Sequence, residues 1–176
     1  MPTRSMRFAL CGLLAALLAS IAGCGGKEED AQSEVRVRVD RVVIDDHDAP
    51  VVVLEEEGGT RWLPIWIGSA EARSIALEME QLHSPRPNAH DLARNLIERL
   101  DAEVSRVVVT ELREGTYYAT LQLVSGGRSV QVDARPSDAI AIALRARAPI
   151  FVREPLFEQR TGDAHPGEGD APRRAI

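Results

Sequence analysis

The chain carries one pattern twice, and that recurrence limits how it can fold. An offset of 67 residues sets Gly59 against Gly126 and Arg61 against Arg128. It also sets Leu63 and Ile65 against Val130 and Val132, Glu71-Ala72 against Asp138-Ala139, and Ile75-Ala76-Leu77 against Ile142-Ala143-Leu144. Identity is sparse, but the order of strand, hairpin and helix coincides in both halves, Gly-Gly turns included. Two β-β-β-α units packed as one domain are expected, with an extra helix between them. The fold class is then α+β, with a mixed or antiparallel sheet.

Residue patterns supply the elements. Val35-Arg36-Val37-Arg38-Val39 alternates strictly and reads as a strand with one buried face, continued by Val42-Val43-Ile44 after a bulge. Residues 51–54 form a second strand, Gly58-Gly59 turns the chain, and 61–67 return as a hairpin. A helix follows over 70–82, with Ala72, Ile75, Met79 and Leu82 on its apolar stripe. The proline-stiffened stretch 84–88 leads to a second helix over 89–101, capped by Asn88 or Ser84, with Leu92, Leu96, Leu100 and Ile97 as its stripe. Strands are expected at 104–112, 117–124 and 128–133, then a helix from Pro136 to about 147 and a short terminal strand at 149–152.

The first residues read as a leader. Arg4 and Arg7 precede an apolar run of 11 residues, Phe8 to Leu18, too short to span a bilayer as a helix. Ile21-Ala22-Gly23-Cys24 resembles the lipobox of bacterial lipoproteins, which are cut before the cysteine and lipidated on it. An ordinary secretory signal cut near Ala22 or Gly23 is the alternative. The chain then divides into a lipoprotein signal peptide (1–23), an acidic flexible linker (24–34), a folded domain (35–157) and a disordered tail (158–176). Cys11 leaves with the signal and Cys24 becomes the anchor, so the mature domain holds no thiol for a disulfide, a zinc site or a nucleophile. The expected location is the bacterial envelope, periplasmic or extracellular face, with the membrane as a partner through Cys24.

The whole chain has a net charge of −6, and loss of Arg4 and Arg7 makes it about −8. That argues against a broad basic surface for nucleic acid and leaves room for a local basic patch or a metal-assisted site.

The two halves differ most at one corner. Trp66, Gly68 and Ser69 of the first are replaced by Asp133, Arg135 and Pro136 in the second. Polar groups thus enter where the first unit carries apolar or small residues. Pro136 suits a first helical position, and Asp138 falls in the first turn, as Glu71 does in the other half. In the catalytic reading Asp133 and Asp138, with Glu71 or Asp91, hold a divalent ion, Mg²⁺ or Mn²⁺. Arg135 then offsets charge on a phosphate. His90-Asp91 offers a general base or a metal ligand. In the structural reading the same residues form ion pairs and caps, as short acid clusters commonly do. Trp62 and Trp66 share a strand face, where core or interface packing competes with base stacking. Without a Gly-rich phosphate loop or a serine nucleophile elbow, no organic cofactor is expected.

Three segments carry a resemblance. They are Leu63-Pro64-Ile65-Trp66-Ile67-Gly68 with Glu71-Ala72, Pro85-Arg86-Pro87 followed by His90-Asp91-Leu92, and Asp133-Ala134-Arg135-Pro136-Ser137-Asp138-Ala139-Ile140-Ala141 with Leu144-Arg145. Together they resemble the bifunctional nuclease domain family, over residues 35–152. The resemblance implies a small α+β domain and a nuclease acting on DNA and RNA. Asp133, Arg135, Asp138, His90 and Asp91 are then the candidate catalytic residues, and Asp133, Asp138 and Glu71 the candidate metal ligands. Ala89 departs from the pattern, since the family usually has a hydroxyl residue before the His-Asp pair. The leader is a second departure. The competing reading is a non-catalytic binding or scaffold module of the same fold, acting through protein contacts or a homo-oligomer. A small anion held at the Pro136 helix start is a third.

Overall fold

The computed structural model describes residues 33–59, 61–82 and 84–158. The leader, Cys24, most of the linker, His83 and the tail with His165 lie outside the described residues. No described helix is long and apolar enough to cross a membrane.

Seven strands form one sheet: β1 (Glu34–Ile44), β2 (Pro50–Glu56), β3 (Trp62–Trp66), β4 (Ala102–Arg113), β5 (Thr116–Ser125), β6 (Arg128–Ala134) and β7 (Ile150–Arg153). Their spatial order is β3-β2-β1-β7-β4-β5-β6. Each half is an antiparallel three-strand meander, and glycines serve three of the four connections. Gly58, Gly115, Gly126 and Gly127 all have positive φ, a conformation L side chains resist. The shift expected in the first strand occurs between Val39 and Arg41.

The expected short last strand is present as β7. It is the last strand in the chain but the middle one in the sheet, antiparallel to β1 and parallel to β4. Alternation explains the fit: Ile150 and Val152 join the main core, while Phe151 turns to the other face under the Arg106 guanidinium, 4.3 Å from the ring centre. The sheet is therefore mixed, and the fold is α+β.

The helices are α1 (Ser69–Met79), α2 (Ala89–Arg99), α3 (Pro136–Ala146) and the one-turn α4 (Pro155–Glu158). α1 and α3 follow the two meanders and pack side by side on the sheet face that presents Val52, Leu54, Leu63, Ile65, Val107 and Val109. α3 is enclosed almost all round, with Ala139, Ile140, Ala141 and Ala143 fully buried. Its alanines let backbone approach backbone, which is why the sequence there is small and apolar rather than amphipathic. On the opposite face Val43, Val51 and Val53 form a smaller cluster under Trp62, and Trp66 donates from Nε1 to Asp45 at 2.9 Å. Packing and a hydrogen bond thus account for both tryptophans.

Two helix stripes depart from expectation. α1 ends at Met79, and Met79 and Leu82 are exposed although Ala72 and Ile75 are buried. α2 has no buried residue. Ala93 and Ile97 turn toward the core, and Leu92, Leu96 and Leu100 face out. The cause is at its first turn, where polar ties to α1 and α3 set the rotation.

Core and surface leucines should respond very differently to truncation. Leu54→Ala is expected to lower the unfolding free energy by about 2–5 kcal/mol. Leu82→Ala, at 55% exposure, should change it by less than about 0.5 kcal/mol. Urea denaturation of each variant against the parent measures both.

Candidate functional site

The corner after β6 forms as its residues dictate. Arg135 is the cap residue of α3 in extended conformation, and Pro136 takes the first helical position, where no backbone N–H is needed. Asp138 is the third residue of α3, and Glu71 is the third residue of α1 after the cap residue Gly68. Both acids thus sit where the helix dipole favours negative charge. A side chain on Gly68 would drive its Cβ into Glu71 Oε2, so glycine leaves room for that carboxylate as it stands.

Arg135 joins the two helix starts. Its Nε donates to Asp138 Oδ2 at 2.7 Å, and its Nη2 donates to Asp138 Oδ1 at 3.0 Å and to Glu71 Oε1 at 2.7 Å. These bonds, Asp138's first, raise the Arg135 pKa further. The guanidinium nevertheless keeps 66% of its side-chain surface exposed.

α2 enters through Asn88, His90 and Asp91. Asn88 caps the helix: its Oδ1 accepts from the His90 and Asp91 amides at 2.8 and 3.0 Å, and Asp91 Oδ2 accepts from the Asn88 amide at 2.8 Å. The reciprocal pair is a capping box, so the cap does not need a hydroxyl at position 89. Because Oδ1 is committed to backbone donors, the amide nitrogen of Asn88 faces Ser74 and donates to its Oγ at 3.2 Å. Arg145 Nη2 donates to the same Oγ at 3.0 Å. A hydroxyl accepts two bonds and donates one, so the Ser74 proton goes to its third neighbour, His90 Nδ1, at 2.9 Å. His90 is then the tautomer with its proton on Nε2, which donates to Asp138 Oδ1 at 3.1 Å.

Arg145 anchors the chain of bonds from below. Only 4% of its side chain is exposed. Its Nε donates to Asp91 Oδ1 at 2.5 Å, its Nη1 to the Ala141 carbonyl at 2.9 Å, and its Nη2 also to the Ser74 carbonyl at 3.2 Å. Partial burial opposes the charge of Asp91, but Arg145 and the Asn88 amide outweigh it and hold its carboxyl below the usual range. For Asp138 burial also opposes the charge, and Arg135 and His90 outweigh it in the same way.

Of the expected residues, His90, Arg135, Asp138 and Glu71 come together, and Asp91 joins through Arg145. Asp133 does not. Val130, Val132 and Ala134 are paired with Leu123, Leu121 and Ala119 on the helix side of the sheet, so alternation turns Asp133 to the other side. The expected metal ligands therefore do not form a set. Asp133 is across the sheet, a guanidinium lies between Glu71 and Asp138, and the described residues hold no group of three or more His, Cys, Asp or Glu positioned for a metal ion. A polar depression of about 610 Å³ borders Asp91, Arg145, Asn88 and Arg94, but the carboxylates of Asp138 and Glu71 do not line it.

Ser74 has no role in the sequence reading, and Arg145 stands there only within the resembling segment, not as a site residue. Their signal is a run of polar residues at helical spacing: Asp138 and Arg145 seven apart on α3, and Glu71, Ser74 and Glu78 three and four apart on α1.

The model of the bifunctional nuclease domain matches residues 52–164. The chain belongs to the bifunctional nuclease domain family. An uncharacterized protein of Mycobacterium tuberculosis is 47% identical over 121 residues, covering 69% of this chain and 71% of that one. Bifunctional nuclease 1 of Arabidopsis thaliana is 33% identical over 111 residues, 61% of this chain and 34% of its own. Bifunctional nuclease 1 of Oryza sativa subsp. japonica is 30% identical over 105 residues, 58% of this chain and 32% of its own. The chain spans about one third of the plant relatives' length. The family model takes in this cluster entirely, from Glu71 to Arg145, and begins after β1.

Arg145→Ala leaves Asp91 partly buried without its cation and should cost about 3–5 kcal/mol of unfolding free energy. The pH dependence has a definite sign. Both aspartates are depressed in the folded state, so their contribution is complete above the ordinary carboxylate value, about pH 4, and is lost as the pH falls below it. Urea unfolding of the parent should show this acid loss, and Asp138→Asn should reduce it.

Proposed function

We propose that the domain hydrolyses phosphodiester bonds of DNA or RNA at the cluster of Arg135, Asp138, Glu71 and His90. Family membership and the names of the plant relatives support a nuclease. The observation that carries this site is the exposed Arg135 guanidinium, held by two carboxylates at the start of two helices. An acidic chain meets a polyanion with long-range repulsion, so recognition needs a local cation of this kind.

Arg135 donates to a non-bridging phosphate oxygen. As it turns to the phosphate, Asp138 loses the bonds that hold its carboxyl low and becomes a better base. Its Oδ2 accepts a proton from the attacking water as the water oxygen bonds to phosphorus; the P–O bond to the leaving oxygen breaks, that oxygen takes a proton from solvent, and Asp138 returns its proton to solvent. His90 stays on Oδ1 and keeps the carboxylate aimed. The donor set as it stands does not fit a divalent ion, and no step is routed through one. Mg²⁺ and EDTA arms of the assay report whether an ion replaces Arg135 between the carboxylates.

One observation favours the second reading, a binding or scaffold module. Each of Asp138, Asp91 and Arg145 is committed to internal partners, as a purely structural lock requires. The two readings differ in turnover. Purified protein incubated with single-stranded DNA and RNA is expected to cleave both. Arg135→Ala and Asp138→Asn are each expected to lower the rate at least about a hundredfold. Equal rates in parent and variants would leave only the structural reading. The leader pattern supports display at the envelope through Cys24. Incorporation of labelled palmitate, lost in Cys24→Ser, is the expected outcome there.

A further inference from the structure

The two edges of the sheet are unlike. β3 is five residues long and has Pro64 at its centre, which cannot donate to an added strand. Native sheets blunt edges in this way. β6 is seven residues long, pairs with β5 over its whole length without a register shift, and contains no proline. Among the described residues nothing pairs with its outer edge. Val130 and Val132 stand on the helix side of that strand at 47% and 39% exposure. On the same side of the sheet, α2 presents Leu92, Leu96 and Leu100 at 54%, 53% and 72% exposure. A regular, proline-free edge with two exposed valines on one face is open to pairing with a further strand.

The sequence of β6 suits a second copy of itself. An antiparallel partner related by a two-fold axis through Gln131 sets Val130 of each copy against Val132 of the other. All seven residues of the strand are then used. Ser129 meets the carboxylate of the other copy's Asp133, a donor against an acceptor, and Gln131 meets its own copy. Arg128 meets Ala134, so no like charges face each other. Other registers are poorer. An axis through Val132 sets Val130 against Ala134, and an axis through Val130 sets Val132 against Arg128. An axis through Asp133 sets two carboxylates face to face. A shift of pairing by an odd number of residues would put the valines on the wrong face.

We infer that two copies of the chain join through β6 in this register, making one continuous sheet of both. Such an interface is isologous, the commonest kind in soluble homo-oligomers.

The test uses the full-length protein. Sedimentation velocity should give a species of twice the 19.2 kDa chain mass. Val130→Lys/Val132→Lys, at positions exposed in the single chain, should keep the circular dichroism of the parent and raise the dimer dissociation constant at least about tenfold. Cysteine placement, in a background with Cys11→Ser and Cys24→Ser, reads the register without relying on those variants. Gln131→Cys should form an intermolecular disulfide, since directly paired Cα atoms lie about 4.5–5.5 Å apart. Ser129→Cys alone should not exceed the background, because the two copies of residue 129 stand about 13 Å apart along the strands. Mixed Ser129→Cys and Asp133→Cys chains should cross-link. A monomer at all concentrations, a dimer unaffected by the lysines, or cross-linking through Ser129→Cys as strong as through Gln131→Cys would each overturn the inference.

Discussion

The buried guanidinium of Arg145 holds the three principal helices in their places. It bonds to Asp91 at the start of α2, to Ser74 in the middle of α1, and to the Ala141 carbonyl of its own helix. A charge this deep is costly unless its donors find acceptors, and here its neighbours supply them. Three of the polar groups at its end of the network, Ser74, Asn88 and Asp91, have their hydrogen-bond roles fixed by one another. The orientation of His90 follows from theirs, and the aim of the Asp138 carboxylate follows from His90.

The site is thus an outgrowth of helix packing. α1 and α3 begin at the same end of the sheet because each follows the third strand of a meander. Their third residues, Glu71 and Asp138, therefore arrive together. Arg135, at the cap position of one helix, bridges both acids and remains exposed. The structural and chemical readings of the corner are compatible on this view. The part near Arg145 is buried and locks the helices, and the part near Arg135 is open to solvent.

Much of this was legible in the residues. Strict alternation marked the strands, and Pro136 marked the start of α3, because both rest on neighbours close in the chain. The face of α2 was not legible. Its leucines have the right spacing for a core stripe, but bonds from Ser74 and Asp138, distant in sequence, turn them outward. The place of β7 depends on partners from both halves, so its four residues alone could not reveal it. Asp133 is a different case. The alternation that puts Val130 and Val132 on the helix side already separates it from Asp138, and strand geometry outweighs proximity in sequence.

One bond network, running from Arg145 through Ser74 and His90, fixes the carboxylate of Asp138. The tautomer of His90 tests it most directly. In ¹⁵N-labelled protein at neutral pH, the imidazole should show a protonated Nε2 and a proton-free Nδ1. A His90 ring with its proton on Nδ1, or one exchanging freely between the two forms, would contradict the network and the site built on it.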